Sequence, residues 1–226
     1  MDPDGSRVVQ RVLEEVGGSE QGALVRELQG HVAKALQSPH ANHVLQKAIS
    51  VMWPADAFFI VPELLQWGRP NALAKHPYGC RVLERLVEFF PTQWMRAFTA
   101  DLLDNAPELC KHPYGNFVMQ HLLEFGELQH RRQVVAVLRD DLVGMATNQN
   151  SCGVLDKALA YASPEDRHPL AAQVLGRRGL LAQMAAKRWG FPTADRLLTV
   201  SQQSGMWEEA RAQLIEATPT LLRSVP

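Results

Sequence analysis

The sequence predicts an all-α protein built as a solenoid of about six stacked helical repeats. Three observations predict it: a motif that recurs at nearly constant spacing, apolar residues spaced as on one face of a helix, and no strand-length segment with alternating polar and apolar residues. A self-similar unit of this length is typical of solenoid proteins, in which each unit buries its apolar face against its neighbours.

The recurring motif is clearest in four copies, and each copy has a polar or small residue at its third position. These third positions are Ser6, Asn42, Cys80 and Asn116. They are spaced by 36, 38 and 36 residues. Two degraded copies follow, one around Cys152 and one at residues 189–196, which brings the predicted number of repeats to about six.

The apolar residues of each copy have helical spacing. In the third copy, Val82, Leu83 and Leu86 recur as on one side of an α-helix. Segments with the same periodicity lie upstream of the motifs, and proline and glycine separate the pieces; these segments cover residues 58–67, 94–103 and 134–142. We therefore expect two or three helices per repeat, followed by a C-terminal cap helix over residues 205–222.

The composition excludes several classes of protein. No apolar run approaches 18 residues, so no membrane span is expected, and the polar N-terminus lacks a signal-peptide pattern. The three cysteines form no closely spaced pair, which favours a reducing compartment, and we expect a cytoplasmic protein. The chain carries no phosphate-binding, zinc-protease or hydrolase motif, and its eight histidines lack ligand spacing, so we predict no enzyme, no cofactor and no metal site.

Each clear copy carries three variable positions on one predicted helix, and we call them the first, middle and third slots. The first and third slots are four residues apart and therefore share a helix face. We expect that face to point outward, away from the apolar core. In chain order the slots are Ser6, Arg7 and Gln10; Asn42, His43 and Gln46; Cys80, Arg81 and Glu84; and Asn116, Phe117 and Gln120.

These copies resemble the RNA-recognition helices of the Pumilio/FBF (PUF) repeat family. The resemblance is most specific in two runs, His-Pro-Tyr-Gly-Cys-Arg-Val-Leu-Glu-Arg at residues 76–85 and His-Pro-Tyr-Gly-Asn-Phe-Val-Met-Gln-His at residues 112–121. It implies a right-handed, arc-shaped α-solenoid forming a single Pumilio-homology-like domain over residues 1–226. The clear repeats would occupy about 1–125 and the degraded repeats about 126–204.

The resemblance also implies a function for each slot, since PUF repeats recognise one base each with two or three side chains. Ser6 with Gln10 implies adenine, Asn42 with Gln46 uracil, Cys80 with Glu84 guanine, and Asn116 with Gln120 uracil. The middle-slot residues would stack on base faces. Because the family binds RNA antiparallel to the protein, the four copies imply the sequence 5′-UGUA-3′.

The two degraded copies depart from this pattern. Cys152 and Asp156 occupy the first and third slots of the fifth copy, and Gly153 supplies no stacking group. We expect this repeat to contact RNA weakly and to tolerate any base. The sixth copy has Phe191 and Pro192 in its first two slots, so we expect it to be structural.

The predicted function is sequence-specific binding of single-stranded RNA in messenger RNA untranslated regions by a monomer. By resemblance, the protein would regulate translation or decay through protein co-regulators. Two alternatives remain open. One is a protein-binding α-solenoid of the HEAT or armadillo type, which the near-neutral charge of −1 favours. The other is a PUF-like ribosome-biogenesis factor, for which a basic surface would be expected.

Overall fold

The structure, a computed structural model, describes residues 2–223. The two ends of the predicted domain, residue 1 and residues 224–226, lie outside the described residues. The described residues form α-helices and one short 3₁₀ helix, Thr92–Trp94, and contain no strand. The prediction of an all-α fold is confirmed. The helices α1 to α17 span Pro3–Glu15, Gly18–Arg26, Val32–Gln37, Ala41–Val51, Ile60–Trp67, Pro70–Lys75, Gly79–Phe89, Arg96–Asp104, Ala106–Lys111, Gly115–Phe125, Leu128–Asp140, Leu142–Ala146, Gln149–Tyr161, Pro164–Leu175, Leu180–Ala185, Phe191–Gln203 and Trp207–Arg223.

Every copy of the motif lies at the start of one helix, and we call α1, α4, α7, α10, α13 and α16 the motif helices. From α4 onward, each motif helix follows a short helix of five or six residues. That short helix packs against the motif helix that it precedes. A longer helix lies between one motif helix and the next short helix, so a repeat contains three helices.

The described residues divide into two compact units, the first ending at Asp104 and the second beginning at Asn105. In the first unit α1 packs against α4, and α4 packs against α7. In the second unit α10 packs against α13, and α13 packs against α16. Within each unit, the slots of neighbouring motif helices therefore lie side by side. The cap helix was predicted over residues 205–222; α17 lies there and packs against α15 and α16.

A glycine at the start of three motif helices allows the short helix to approach closely. A Cβ atom on Gly79 would lie 2.4 Å from the Leu73 carbonyl oxygen, and one on Gly190 would lie 2.5 Å from that of Met184. At Gly115 the obstacle would be the Leu109 side chain, at 2.7 Å. Real Cβ atoms do not come this close, so the glycine sets the distance between the two helices and thereby the position of the slots.

The first motif helix is packed less completely than the others. Val8 of α1 is 61% exposed, whereas the equivalent residues Val44, Val82, Val118 and Val154 are buried. Each of these four belongs to a motif helix that packs against the short helix before it. Among the described residues no helix precedes α1, so part of its apolar face stays in solvent.

One arginine joins two repeats in the second unit. The Arg131 guanidinium donates to the carbonyl oxygens of Glu124 and Gly126 at the end of α10, at 2.9 and 3.0 Å. It also donates to the Tyr161 carbonyl oxygen at the end of α13, at 3.1 Å. The last carbonyl groups of a helix lack partners within the helix, and one planar side chain provides donors for two helices.

We expect Arg131→Met to lower the free energy of unfolding by about 1–3 kcal/mol, because hydrogen bonds from a charged donor to three carbonyl groups are lost. Urea denaturation would measure the change. Arg132→Met is the matched control, since Arg132 makes one exposed ion pair with Asp166 and its loss should cost below ~1 kcal/mol. Equal effects of the two substitutions would contradict a bridging role for Arg131.

Candidate nucleic-acid interface

The first five motif helices each begin at a side chain that accepts one or two hydrogen bonds from the backbone of the first turn. His76 Nδ1 accepts from the N–H groups of Tyr78 and Gly79, at 3.2 and 3.0 Å. His112 Nδ1 accepts in the same way from the two residues before Asn116, at 3.1 and 3.2 Å. The first N–H groups of a helix have no partner within the helix, so this residue fixes where the helix starts.

The first, second and fifth copies have another side-chain acceptor at the same position. Four residues before the first slot stand Asp2, Ser38 and Asn148, and each uses a side-chain oxygen as the acceptor. We call these five residues the acceptor position. The sequence motif omitted Asp2, Ser38 and Asn148 because the alignment stopped short of them; extending it four residues upstream would have shown a polar residue in each copy.

The first slots are buried, contrary to the expectation that the slot face points outward. Ser6, Asn42, Cys80 and Asn116 are each at most 3% exposed. Their side chains turn back onto the carbonyl groups of the preceding turn: Ser6 Oγ donates to Pro3 at 2.9 Å, Asn42 Nδ2 to Ser38 at 2.7 Å, Cys80 Sγ to Pro77 at 3.4 Å, and Asn116 Nδ2 to His112 and Pro113 at 2.8 and 3.0 Å. The outward orientation is therefore wrong for the first slot, since the turn before the helix covers it.

The third-slot glutamines are half-buried and are held by the first slot. Gln46 Nε2 donates to Asn42 Oδ1 at 2.8 Å, and Gln120 Nε2 donates to Asn116 Oδ1 at 2.9 Å. In the first copy, Gln10 Nε2 donates to the Ser6 carbonyl oxygen at 3.0 Å. An amide has two N–H donors and a carbonyl acceptor, so a glutamine held by one N–H keeps the chemistry needed to pair with a base edge.

The third copy carries a buried carboxylate. Glu84 is 3% exposed, and Arg81 Nη1 donates to its two oxygens at 3.1 and 3.0 Å. Burial, together with the nearby Glu84 charge, raises the pKa of the Cys80 thiol to about 11. The thiol therefore stays protonated at neutral pH, beside an acceptor-only carboxylate.

The middle-slot side chains are more exposed to solvent than the buried first-slot side chains. Arg7 and His43 are exposed, the Arg81 side chain is 44% exposed, and Phe117 is half-buried. A flat or cationic group thus stands next to the hydrogen-bonding residues of each clear copy. The structure brings together the three slots of each clear copy, as predicted from their spacing.

The degraded copies have a different geometry. Cys152 is buried and its Sγ donates to Thr193 Oγ1 at 3.2 Å, while Asp156 Oδ1 accepts from Arg196 Nε at 2.7 Å. Both partners lie on α16, the motif helix of the next repeat. In the sixth copy, Phe191 is 60% exposed. The side chains of Phe191 and Pro192 carry no hydrogen-bonding group that could pair with a base edge. The contacts of Cys152 and Asp156 could not be predicted from the motif, because they join residues 40 or more positions apart.

Residues 2–223 contain neither a candidate metal site nor a candidate membrane span. No group of three or more histidine, cysteine or acidic residues there is arranged to hold a metal ion. In the same residues, no helix is both long and apolar enough to cross a bilayer.

Motif helices that repeat at nearly constant spacing, the first five of them beginning at a capped turn, define an α-helical repeat protein of the solenoid class. The sequence pattern of the Pumilio-family RNA binding repeat matches residues 1–29, 37–52, 71–93, 105–139 and 141–175, more than half of the chain. The chain belongs to this family of RNA-binding repeats, which is not a family of enzymes. The sixth copy lies outside the matched residues.

Known relatives cover the chain well but are longer. The chloroplastic pumilio homologues 7 and 8 of Arabidopsis thaliana are each 24% identical to it, over 186 and 219 residues. The alignments cover 80% and 95% of this chain but only 28% and 42% of those two proteins. Among solved structures, the Puf3 RNA binding domain bound to the Cox17 RNA 3′ UTR recognition sequence site A is similar at a TM-score of 0.84 and 25% identity, covering 97% of this chain and 68% of that one.

The acceptor role of His76 makes the start of α7 sensitive to acid. Burial lowers the pKa of His76, and its Nδ1 must stay unprotonated to accept two N–H groups. A histidine whose pKa is lowered by folding stabilises the folded state above its ordinary pKa of about 6.5, and this contribution is lost as the pH falls below that value. We expect the free energy of unfolding to fall less between about pH 7.5 and pH 5 in His76→Asn than in the unmodified protein.

Chemical denaturation at the two pH values would measure this difference. Asparagine is the suitable replacement because Asn148 Oδ1 already accepts from the same two backbone positions of the fifth copy, at 2.9 and 3.2 Å. An identical loss of stability in both proteins would show that His76 does not titrate in the way its contacts require.

Proposed function

We propose that the protein binds single-stranded RNA and recognises one base with each of its first four motif helices. The observation that carries the proposal is the repeated first-slot and third-slot pair on one helix, next to a middle-slot side chain that is at least partly exposed. Membership of a family of RNA-binding repeats supports it. So does the similarity to the Puf3 domain, whose solved structure contains a 3′ UTR recognition sequence.

The hydrogen-bonding groups of each pair match a particular base. Uracil presents two carbonyl acceptors on either side of one N–H donor, and the two amides of Asn42 and Gln46 supply donors and an acceptor. Asn116 and Gln120 supply the same set. Guanine presents adjacent N–H donors, which suit the acceptor-only Glu84. Adenine needs one donor and one acceptor, which Gln10 provides beside the small Ser6.

The chain order of these pairs, with RNA antiparallel to the protein, gives 5′-UGUA-3′ as the target. We propose that such sites lie in messenger RNA untranslated regions. There, a cytoplasmic monomer would influence translation or decay through protein co-regulators.

Base recognition by the third copy requires Arg81 to move. In the structure, Arg81 supplies donors to both oxygens of Glu84. Guanine N–H groups would replace those donors, and the guanidinium, already partly exposed, would then lie against the base face. The Glu84 carboxylate would thereby exchange the Arg81 guanidinium for the two N–H donors of guanine. It would keep hydrogen bonds in both states, so it is never left buried without a partner.

Burial of the first slots favours a second candidate, a solenoid that binds another protein. The buried slots would then serve only to hold the motif helices. The experiment below separates the two functions, because a protein-binding solenoid has no reason to distinguish guanine from adenine.

We expect Glu84→Gln to change the preferred second base of UGUA from guanine to adenine, because an amide offers adenine a donor and an acceptor while it offers guanine only one acceptor. The unmodified protein should favour UGUA over UAUA by roughly 1–3 kcal/mol, the usual cost of one mismatched base, and the variant should reverse the preference. Fluorescence anisotropy with the two labelled RNAs and a scrambled RNA would measure it.

Glu88→Gln is the matched control, because Glu88 lies one turn further along the same helix and pairs with Arg85. It should leave the preference for guanine unchanged. Equal binding of UGUA and scrambled RNA by the unmodified protein would refute base recognition altogether. An unchanged preference in Glu84→Gln would refute the role of this residue alone.

A further inference from the structure

We infer that Arg196 of the sixth repeat determines the specificity of the fifth by occupying the carboxylate with which that repeat would recognise a base. Thr193 adds a second contact to the same repeat. The inference rests on the proposed function, and it concerns the nucleotide on the 5′ side of UGUA, which would lie opposite the fifth motif helix.

The fifth repeat has the residue types of a guanine-recognising pair. Cys152 stands at the slot of Cys80, and Asp156 stands at the slot of Glu84. Arg196 Nε lies 2.7 Å from Asp156 Oδ1, and the Asp156 side chain is only 19% exposed. Thr193 Oγ1 accepts from Cys152 Sγ and donates to the Cys152 carbonyl oxygen at 3.0 Å. The sixth motif helix therefore engages both slots of the fifth.

The clear copies are held differently. Gln46 and Gln120 bond to the first slot of their own helix, and Glu84 bonds to the middle slot of its own helix. A base can displace such contacts by rotating one side chain within a single repeat. Releasing Asp156 instead requires breaking an ion pair between two repeats, so the fifth repeat is locked while the clear repeats can open.

A basic residue follows the third slot in each of the six copies. These residues are Arg11, Lys47, Arg85, His121, Lys157 and Arg196. In two copies the residue pairs with a glutamate of the preceding repeat that lies four residues after the third slot: Lys47 with Glu14, and Lys157 with Glu124 at 2.5 Å. This outer ion pair keeps the basic side chain away from the third slot of the preceding repeat.

The fifth repeat lacks the outer glutamate. Ala160 occupies the position equivalent to Glu14, Glu88 and Glu124. Arg196 therefore finds no carboxylate at residue 160. It pairs instead with Asp156, which lies one turn before Ala160 on α13. The second repeat also lacks this glutamate, because Ser50 stands there, but its third slot is the uncharged Gln46. Among the first five repeats only the fifth combines an acidic third slot with no outer glutamate, which explains why Arg196, unlike Lys47 and Lys157, engages a third slot.

The expected consequence is that the protein does not discriminate among bases at the nucleotide preceding UGUA. Gly153 adds to this, because it offers no side chain to stack on a base. The substitution Ala160→Glu should restore the outer ion pair, draw Arg196 away and release Asp156 as an acceptor for the N–H groups of guanine.

The experiment measures binding of four labelled RNAs, NUGUA with each base at N, by the full chain. The unmodified protein should bind all four equally. Ala160→Glu should prefer GUGUA by at least about fivefold, the lower end of what one mismatched base normally costs. Ala160→Gln, of the same size but without charge, should not gain the preference, and Ala160→Glu combined with Asp156→Ala should lose it.

A second measurement needs no RNA. A double-mutant cycle of Arg196→Ala and Asp156→Ala, followed by urea unfolding, should show coupling in the unmodified background and none in the Ala160→Glu background. The inference is overturned if the coupling persists there, or if Ala160→Glu binds all four RNAs equally while still favouring UGUA over UAUA. Failure to favour UGUA at all would instead refute the proposed function, and the inference with it.

Discussion

The structure depends on the capped turn at the start of each of the first five motif helices. In four of these turns a single side chain accepts from two N–H groups that the helix leaves unpaired; His76 Nδ1 and Asn148 Oδ1 are examples. The glycine that follows in several copies lets the short helix approach to contact distance. Together they fix the rotation and starting point of the helix, so that the three slots fall in the same place in successive repeats.

In the proposed function, this arrangement would make base recognition an exchange of hydrogen bonds. The slot residues already bond to one another or to the backbone, so a bound base replaces existing partners and the net gain per hydrogen bond is small. Several basic side chains near the slots are also held in ion pairs, as Lys47 is with Glu14, and the net charge is −1. The proposed stacking on the middle slots would therefore supply much of the affinity for RNA.

The repeat, the helical fold and the grouping of the slots could be predicted from the sequence, because each follows from spacing along one helix. The burial of Asn42 and Asn116 could not, since it depends on how the preceding turn folds over the helix. The engagement of Asp156 by Arg196 was also missed, because it joins two repeats and follows from a residue, Ala160, that the motif did not include. Local periodicity thus predicts which residues share a face, and packing between repeats decides which of them are available.

An unbiased selection from a random RNA pool with the full chain tests the central claim most directly, since it reports the occurrence, sequence and length of the bound site together. The account predicts enrichment of UGUA with guanine at the second position and no base preference at the nucleotide on its 5′ side. Recovery of no common sequence, or of one without that guanine, would contradict it.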